Sequence, residues 1–250
     1  MGGSEICIEI IEQKNKGLSG ARNTALSNIK AKYVMLLDSD DILPENTIST
    51  MLDKAILTDA DILQGSWYSF DNVEKNETIL EEDGFLPGTC GHLSGYPWGK
   101  LYKSSILKHF QFPEGYWFED TPVTFILAAL PIKIVSIKDI IYGYRLNPNG
   151  ITSKSLYNPK SIDSFWITEL CLQEFTKFDL MYDQKAYEYL LRQTSVYKGY
   201  KRDKIEMRGD RAEISDFPLY LNTVAGGLDC RDQTIGGFSF VVKIYAVPVV

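Results

Sequence analysis

Asp38, Asp40 and Asp41 directly follow an apolar run, Tyr33 to Leu37. An apolar run favours burial, whereas clustered carboxylates favour water, a proton or a cation. Three carboxylates this close repel one another unless a cation is shared. Their oxygens, with that of Ser39, are hard ligands suited to Mg²⁺ or Mn²⁺. At a strand end, Asp38 and Asp40 point the same way, so one can hold a metal while the other holds a neighbouring hydroxyl. Asp41 fits equally well as a cap on the following helix. A second acidic pair, Glu119 and Asp120, lies at the head of "FEDTPVTFILAAL". There it complements a helix dipole.

The elements around these residues follow from pattern. Glu9 to Gln13 reads as a short strand. "NKGLSGARNTALSNIKAK" opens as a Gly-containing loop and becomes a helix, with Ser19 as N-cap and a stripe of Ala21, Ala25, Leu26 and Ile29. The run Tyr33–Leu37 has the length and continuity of a strand buried on both faces. Pro44 opens the next helix, carried by Ile48, Met51, Leu52, Ala55 and Ile56. Asp61 to Gly65 is another strand. This alternation implies an α/β open sheet, whose ligand crevice lies beyond the carboxyl ends of the strands. "PWGKLYKSSILKHF" reads as strand then helix, and "KIVSIKDIIYGYRL" as one or two strands. A long amphipathic helix begins near Ile162, and a second spans Tyr187 to Lys201.

Composition bounds the partners. The chain has 250 residues and a formal net charge of −7. That is enough for one large domain or a domain with an appendage. No basic face for nucleic acid is evident. The basic run Lys198, Lys201, Arg202 and Lys204 reads as a solvated helix end or a contact with an anionic membrane surface. Cys7, Cys90, Cys171 and Cys230 form no CxxC pair, so free thiols in a reducing cytosol are expected. No apolar run is long enough to span a bilayer.

Two enzyme classes place Asp-x-Asp at a strand end. Haloacid-dehalogenase-like phosphohydrolases would use Asp38 as nucleophile and need a downstream acidic pair. Only Asp210 and Asp216 offer one, with no apolar strand before them. The series "NKGLSGARNTAL", "YVMLLDSDD", "WGKLY", "FPEGYWFED" and "YGYRLNPNGIT" instead resembles the family-2 glycosyltransferases of the GT-A fold, in order and spacing, over residues 9–153.

The resemblance implies an inverting, metal-dependent enzyme. It would move a sugar from a nucleotide-sugar donor to a glycan or lipid-linked acceptor, in cell-surface polysaccharide or glycan synthesis. Such an enzyme is expected in the cytoplasm, in peripheral contact with the inner face of the membrane. The fold implied is α/β, with a GT-A-like mixed, mostly parallel sheet flanked by helices. Residues 1–155 would form the core and residues 156–250 a helical C-terminal region with a poorly defined tail.

Among site residues, the resemblance places Asp38 near the donor ribose and Asp40 on a Mn²⁺ or Mg²⁺ that neutralises the diphosphate. Gly17, Arg22 and Asn23 match its N-x-G-x-x-x-A-R-N stretch, with Gly17 admitting the nucleotide to the backbone and Arg22 near the base or diphosphate. Trp98 would stack on a sugar, Lys100 would meet a phosphate or an acidic partner, and Arg145 would lie near the diphosphate. Asp120 would be the general base and Glu119 would orient the acceptor or Asp120.

The chain departs from the family at its start. It reaches the family's third strand within a dozen residues, without the preceding strand-helix-strand that forms part of the nucleotide pocket. A non-catalytic remnant acting as a binding module is therefore the second expectation.

Overall fold

The computed structural model describes residues 8–81, 83–84, 93–108, 110–148, 150, 153, 158–177, 180 and 193. The elements are helix α1 (Gly17–Ser27), strand β1 (Tyr33–Met35), helix α2 (Thr47–Thr58), strands β2 (Ile62–Phe70), β3 (Lys75–Thr78), β4 (Asp83–Gly84) and β5 (Lys100–Lys103), helices α3 (Ser104–Leu107) and α4 (Thr121–Phe125), strand β6 (Ile134–Arg145) and helix α5 (Asp163–Lys177). Apart from Gln193, the expected helix Tyr187–Lys201, the basic run and the tail lie outside the described residues. So do Cys7, Cys90 and Cys230, while Cys171 is a free, buried thiol.

One six-stranded sheet runs in the order β1-β5-β2-β6-β4, with β3 paired to β2. The mixed α/β class is as expected, but the pairing is not mostly parallel. Only β2 and β6 pair parallel; the β1–β5, β2–β3, β2–β5 and β4–β6 ladders are antiparallel. β1 and β2 do share a direction, because both oppose β5. The strand-helix-strand alternation thus predicted their relative sense, while β5, which comes later in the chain, occupies the place between them.

Two apolar clusters flank the sheet. Tyr33 and Met35 face the cluster that holds Met51 and Ala55 of α2. Val34 and Leu36 face the cluster that holds Leu26 of α1 and Ile167, Cys171 and Phe175 of α5. The continuous apolar run is therefore explained: alternate side chains enter different cores, and both sides are dry.

Local departures have physical reasons. Residues 9–13 form no strand, and Ile8 and Ile10 are 76% and 73% exposed. Ser19 is buried within α1 rather than capping it; Asn15 does the turning instead, with its Oδ1 accepting from the Gly17 N–H at 2.8 Å. Pro44 precedes α2, which starts after Asn46 in a left-handed conformation, φ 60°. Ile56 lies off the buried stripe of α2, at 60% exposure. Glu119 and Asp120 precede α4 instead of occupying its first turn. Among the described residues, no helix is long and apolar enough to cross a membrane.

Candidate active site

Three elements bring the acidic residues together. β1 delivers the Asp38–Asp41 turn, α1 delivers Arg22, and the turn before α4 delivers Glu119 and Asp120. Arg22 is the join. Its Nη2 meets Asp38 Oδ1 at 2.9 Å and its Nη1 meets Glu119 Oε1 at 3.0 Å. The guanidinium lies 5.2 Å from the Phe112 ring centroid, and the residue is only 6% exposed. Burial opposes its charge, but Asp38 and Glu119 outweigh that and raise its pKa. A planar, always charged fork suits this bridge between two carboxylates.

Asp120 lies beside this pair. Burial, and then the Glu119 carboxylate, push its pKa up to about 7, against the opposing pull of Arg22 and Lys100. A carboxyl poised there can take a proton near neutral pH. The turn that holds it is strained: Phe118 has φ 62°, which a bulky side chain rarely adopts.

The Asp38–Asp41 turn is held differently. The Asp38 N–H donates to the Tyr142 hydroxyl at 3.2 Å, and that hydroxyl donates to Asp41 Oδ2 at 2.6 Å. The Arg145 N–H donates to Asp41 Oδ1 at 2.8 Å and Arg145 Nε to the Asp40 carbonyl at 2.8 Å. Asp41 is thus engaged by β6 and does not cap α2. Burial lifts its pKa to about 6. The Asp40 side chain is exposed.

The remaining motif residues fall into two groups. Gly17 is exposed at φ 71° with open space where a Cβ would sit, so its requirement is conformational. Asn23 pins the 112–114 loop, donating to the Phe112 carbonyl at 2.8 Å and accepting from the Phe112 N–H at 2.8 Å. Trp98 is 4% exposed and stacked with Tyr96 and Tyr142 at centroid distances of 4.4 and 4.6 Å. A sugar-stacking face is replaced by an aromatic core. Lys100 is fully buried, donating to Ser94 Oγ at 2.6 Å and to the Tyr96 carbonyl. Burial pulls its pKa down to about 7, and Asp120 pulls the other way. It is therefore a loop anchor that senses an acidic residue, out of reach of a phosphate. The Arg145 guanidinium lies 4.5 Å from the Phe70 ring centroid.

The family model of glycosyl transferase family 2 matches residues 4–113. This stretch is similar to that family. Glycosyltransferase GlyA of Streptococcus pneumoniae is 30% identical over 163 residues, covering 57% of this chain and 23% of GlyA. Glycosyltransferase GlyG of the same organism is 28% identical, over 58% of this chain and 54% of GlyG. The chain therefore spans a quarter to about half of these relatives. In three dimensions, S. aureus TarS 1–349 in complex with UDP-GlcNAc superposes with a TM-score of 0.56 at 18% identity, covering 85% of this chain and 61% of TarS 1–349. That likeness is one of fold.

In the stretch that the family model matches lie Arg22, Asp38, Asp40 and Asp41. Glu119, Asp120, Tyr142 and Arg145 come after the matched stretch and join it only through tertiary contacts. Sequence reasoning missed Tyr142, although it begins the quoted "YGYRLNPNGIT"; nothing local marks its hydroxyl as a partner of residues about a hundred positions away.

Proposed function

We propose that this chain is an inverting glycosyltransferase that moves a sugar from a nucleotide-sugar donor to an acceptor hydroxyl. The observation that carries the reading is the Arg22 bridge. It holds donor-side Asp38 and acceptor-side Glu119 on one guanidinium, which sets Asp120 at the border of the same site. In a single displacement, Asp120 takes the proton of the attacking hydroxyl. Glu119, fixed by Arg22, orients the acceptor or Asp120.

The leaving group is a nucleotide diphosphate. The Asp40 carboxylate would hold a Mn²⁺ or Mg²⁺ at that site. Among the described residues that carboxylate is exposed and makes no hydrogen bond or ion pair. Mg²⁺ commonly takes one or two carboxylates plus substrate phosphates, so the lack of a three-residue cluster among the described residues fits such a site. When bound, the ion neutralises charge developing on the diphosphate. Asp38 retains one carboxylate oxygen beyond its Arg22 contact for a ribose hydroxyl.

A UDP-sugar is the proposed donor, because the TarS relative in fold binds UDP-GlcNAc and UDP. A glycan or lipid-linked acceptor in cell-surface polysaccharide synthesis is the proposed context, with the reaction in the cytoplasm at the inner membrane face.

The test is a thermal-shift panel of nucleotide sugars with Mn²⁺ and with chelator. A donor raises the melting temperature by mass action. We expect a metal-dependent rise for one nucleotide class, lost in Asp40→Ala. A cooperatively melting protein that no nucleotide sugar stabilises would replace this reading with a binding module.

A further inference from the structure

The third carboxylate, Asp41, is left unassigned by the transfer reaction. Both of its oxygens are consumed by β6: Oδ2 by the Tyr142 hydroxyl and Oδ1 by the Arg145 N–H. Those two bonds fix the Asp41 carboxylate against β6. Around it, the whole turn is fastened to one strand. Ile42 and Gly143 exchange backbone hydrogen bonds of 2.9 and 2.8 Å, Arg145 Nε grips the Asp40 carbonyl, and the Asp38 N–H reaches the Tyr142 hydroxyl.

The Tyr142 hydroxyl sits at the centre, accepting from one acidic residue's backbone and donating to another's side chain. Its position is set from behind. Tyr142 is 0% exposed and stacked on Trp98 at 4.6 Å with an interplanar angle of 11°. Trp98 is in turn stacked on Tyr96. A carboxylate-rich turn at a strand end has mutual repulsion working to open it, and a small backbone rotation would swing Asp40 away from Asp38.

We propose that Tyr142 and Asp41 are positioning residues: they lock the backbone from Asp38 to Ile42 so that the Asp38 and Asp40 carboxylates meet donor and cation in a fixed relation. Trp98 contributes by holding the Tyr142 ring. The inference rests on the donor-binding reading above. It also gives the tryptophan of "WGKLY" a role at the site without contact with sugar.

Tyr142→Phe removes one oxygen and keeps the stacked ring. Hydrogen exchange on the free protein should show the Asp38 amide exchanging about tenfold faster, the loss expected for one hydrogen bond to a constrained group. Calorimetry with UDP, with and without MnCl₂, should show the Mn²⁺-dependent gain in affinity reduced about tenfold, with a smaller loss for UDP alone because Asp38 is released as well. Asp41→Asn, which disturbs the same bonds from the other side, should reproduce both changes. Asp40→Ala should abolish the Mn²⁺ gain yet leave the Asp38 amide protected, separating a ligand from a positioning residue. Native exchange at Asp38 with native Mn²⁺-dependent binding in Tyr142→Phe and Asp41→Asn would overturn the proposal. A native chain that ignores UDP and UDP-GlcNAc with MnCl₂ would overturn the donor reading instead, and the exchange measurement would still decide whether Tyr142 locks the turn.

Discussion

The two acidic turns of the site are built on opposite principles. The turn after β1 is tied to β6 through backbone, phenol and guanidinium contacts, and it leaves Asp40 exposed. The turn before α4 contains a strained Phe118, hangs from the rest of the site through the Arg22–Glu119 contact, and half-buries Asp120, whose desolvation pushes its pKa up to about 7. The first arrangement fixes the backbone of the turn and leaves the Asp40 carboxylate exposed, as cation and diphosphate chemistry requires. The second keeps a carboxyl near its titration point, as proton transfer requires. Both use the same residue type, and only the surroundings differ.

The largest effect should come from removing the proton acceptor. Asp120→Asn should lower the transfer rate by about 10²–10⁴ while donor affinity, read by calorimetry, stays native. An unchanged rate would erase the distinction between the turns.

Breaking the join should come next. Arg22→Gln leaves the partly exposed Asp38 and Glu119 without their shared cation. A loss of about 1–3 kcal/mol in urea unfolding is expected, with Arg22→Lys losing less because one charge remains but the fork is gone. A loss below about 1 kcal/mol would mean that the bridge is dispensable.

The smallest effect, and the one that sharpens the contrast most, is in pH. Asp120 is raised in the folded state, so its stabilising contribution is fully present below its unfolded value of 3.8 and is lost as pH rises through about 7. Lys100 is depressed, so its contribution is present above 10.5 and is lost as pH falls through about 7. Together they should make melting temperature dip near neutrality, where Asp120 gains activity as a base. Asp120→Asn should remove the acid-side limb of the dip, and Lys100→Met the alkaline-side limb. A profile unchanged by either substitution would count against both burials.

Legibility in sequence differed by kind of residue. The Asp38–Asp40 turn could be read because a buried strand must end where its apolar run ends, and the residues just beyond must face solvent or ligand. The α/β class followed from alternation for the same local reason. Pairing did not. β5 fills the gap between β1 and β2, a matter of long-range competition for backbone hydrogen bonds that no local pattern reports. Residues 9–13 have strand-like composition and yet make no strand.

Motif membership was likewise an incomplete guide to role. Asn23, Trp98 and Lys100 match the family pattern, but the structure gives them loop-pinning, stacking and anchoring work. Asp41 was equally consistent with a helix cap until β6 was seen to claim both of its oxygens.

The sequence by itself determined which residues could do chemistry, since charge, hardness as ligands and apolar period are properties of residue type and spacing. Only the tertiary structure decided which carboxylate is exposed, which is bonded and which is held near neutrality. Those states depend on burial and on partners 16, 97 and 104 positions away, and distance along the chain carries no record of proximity in space.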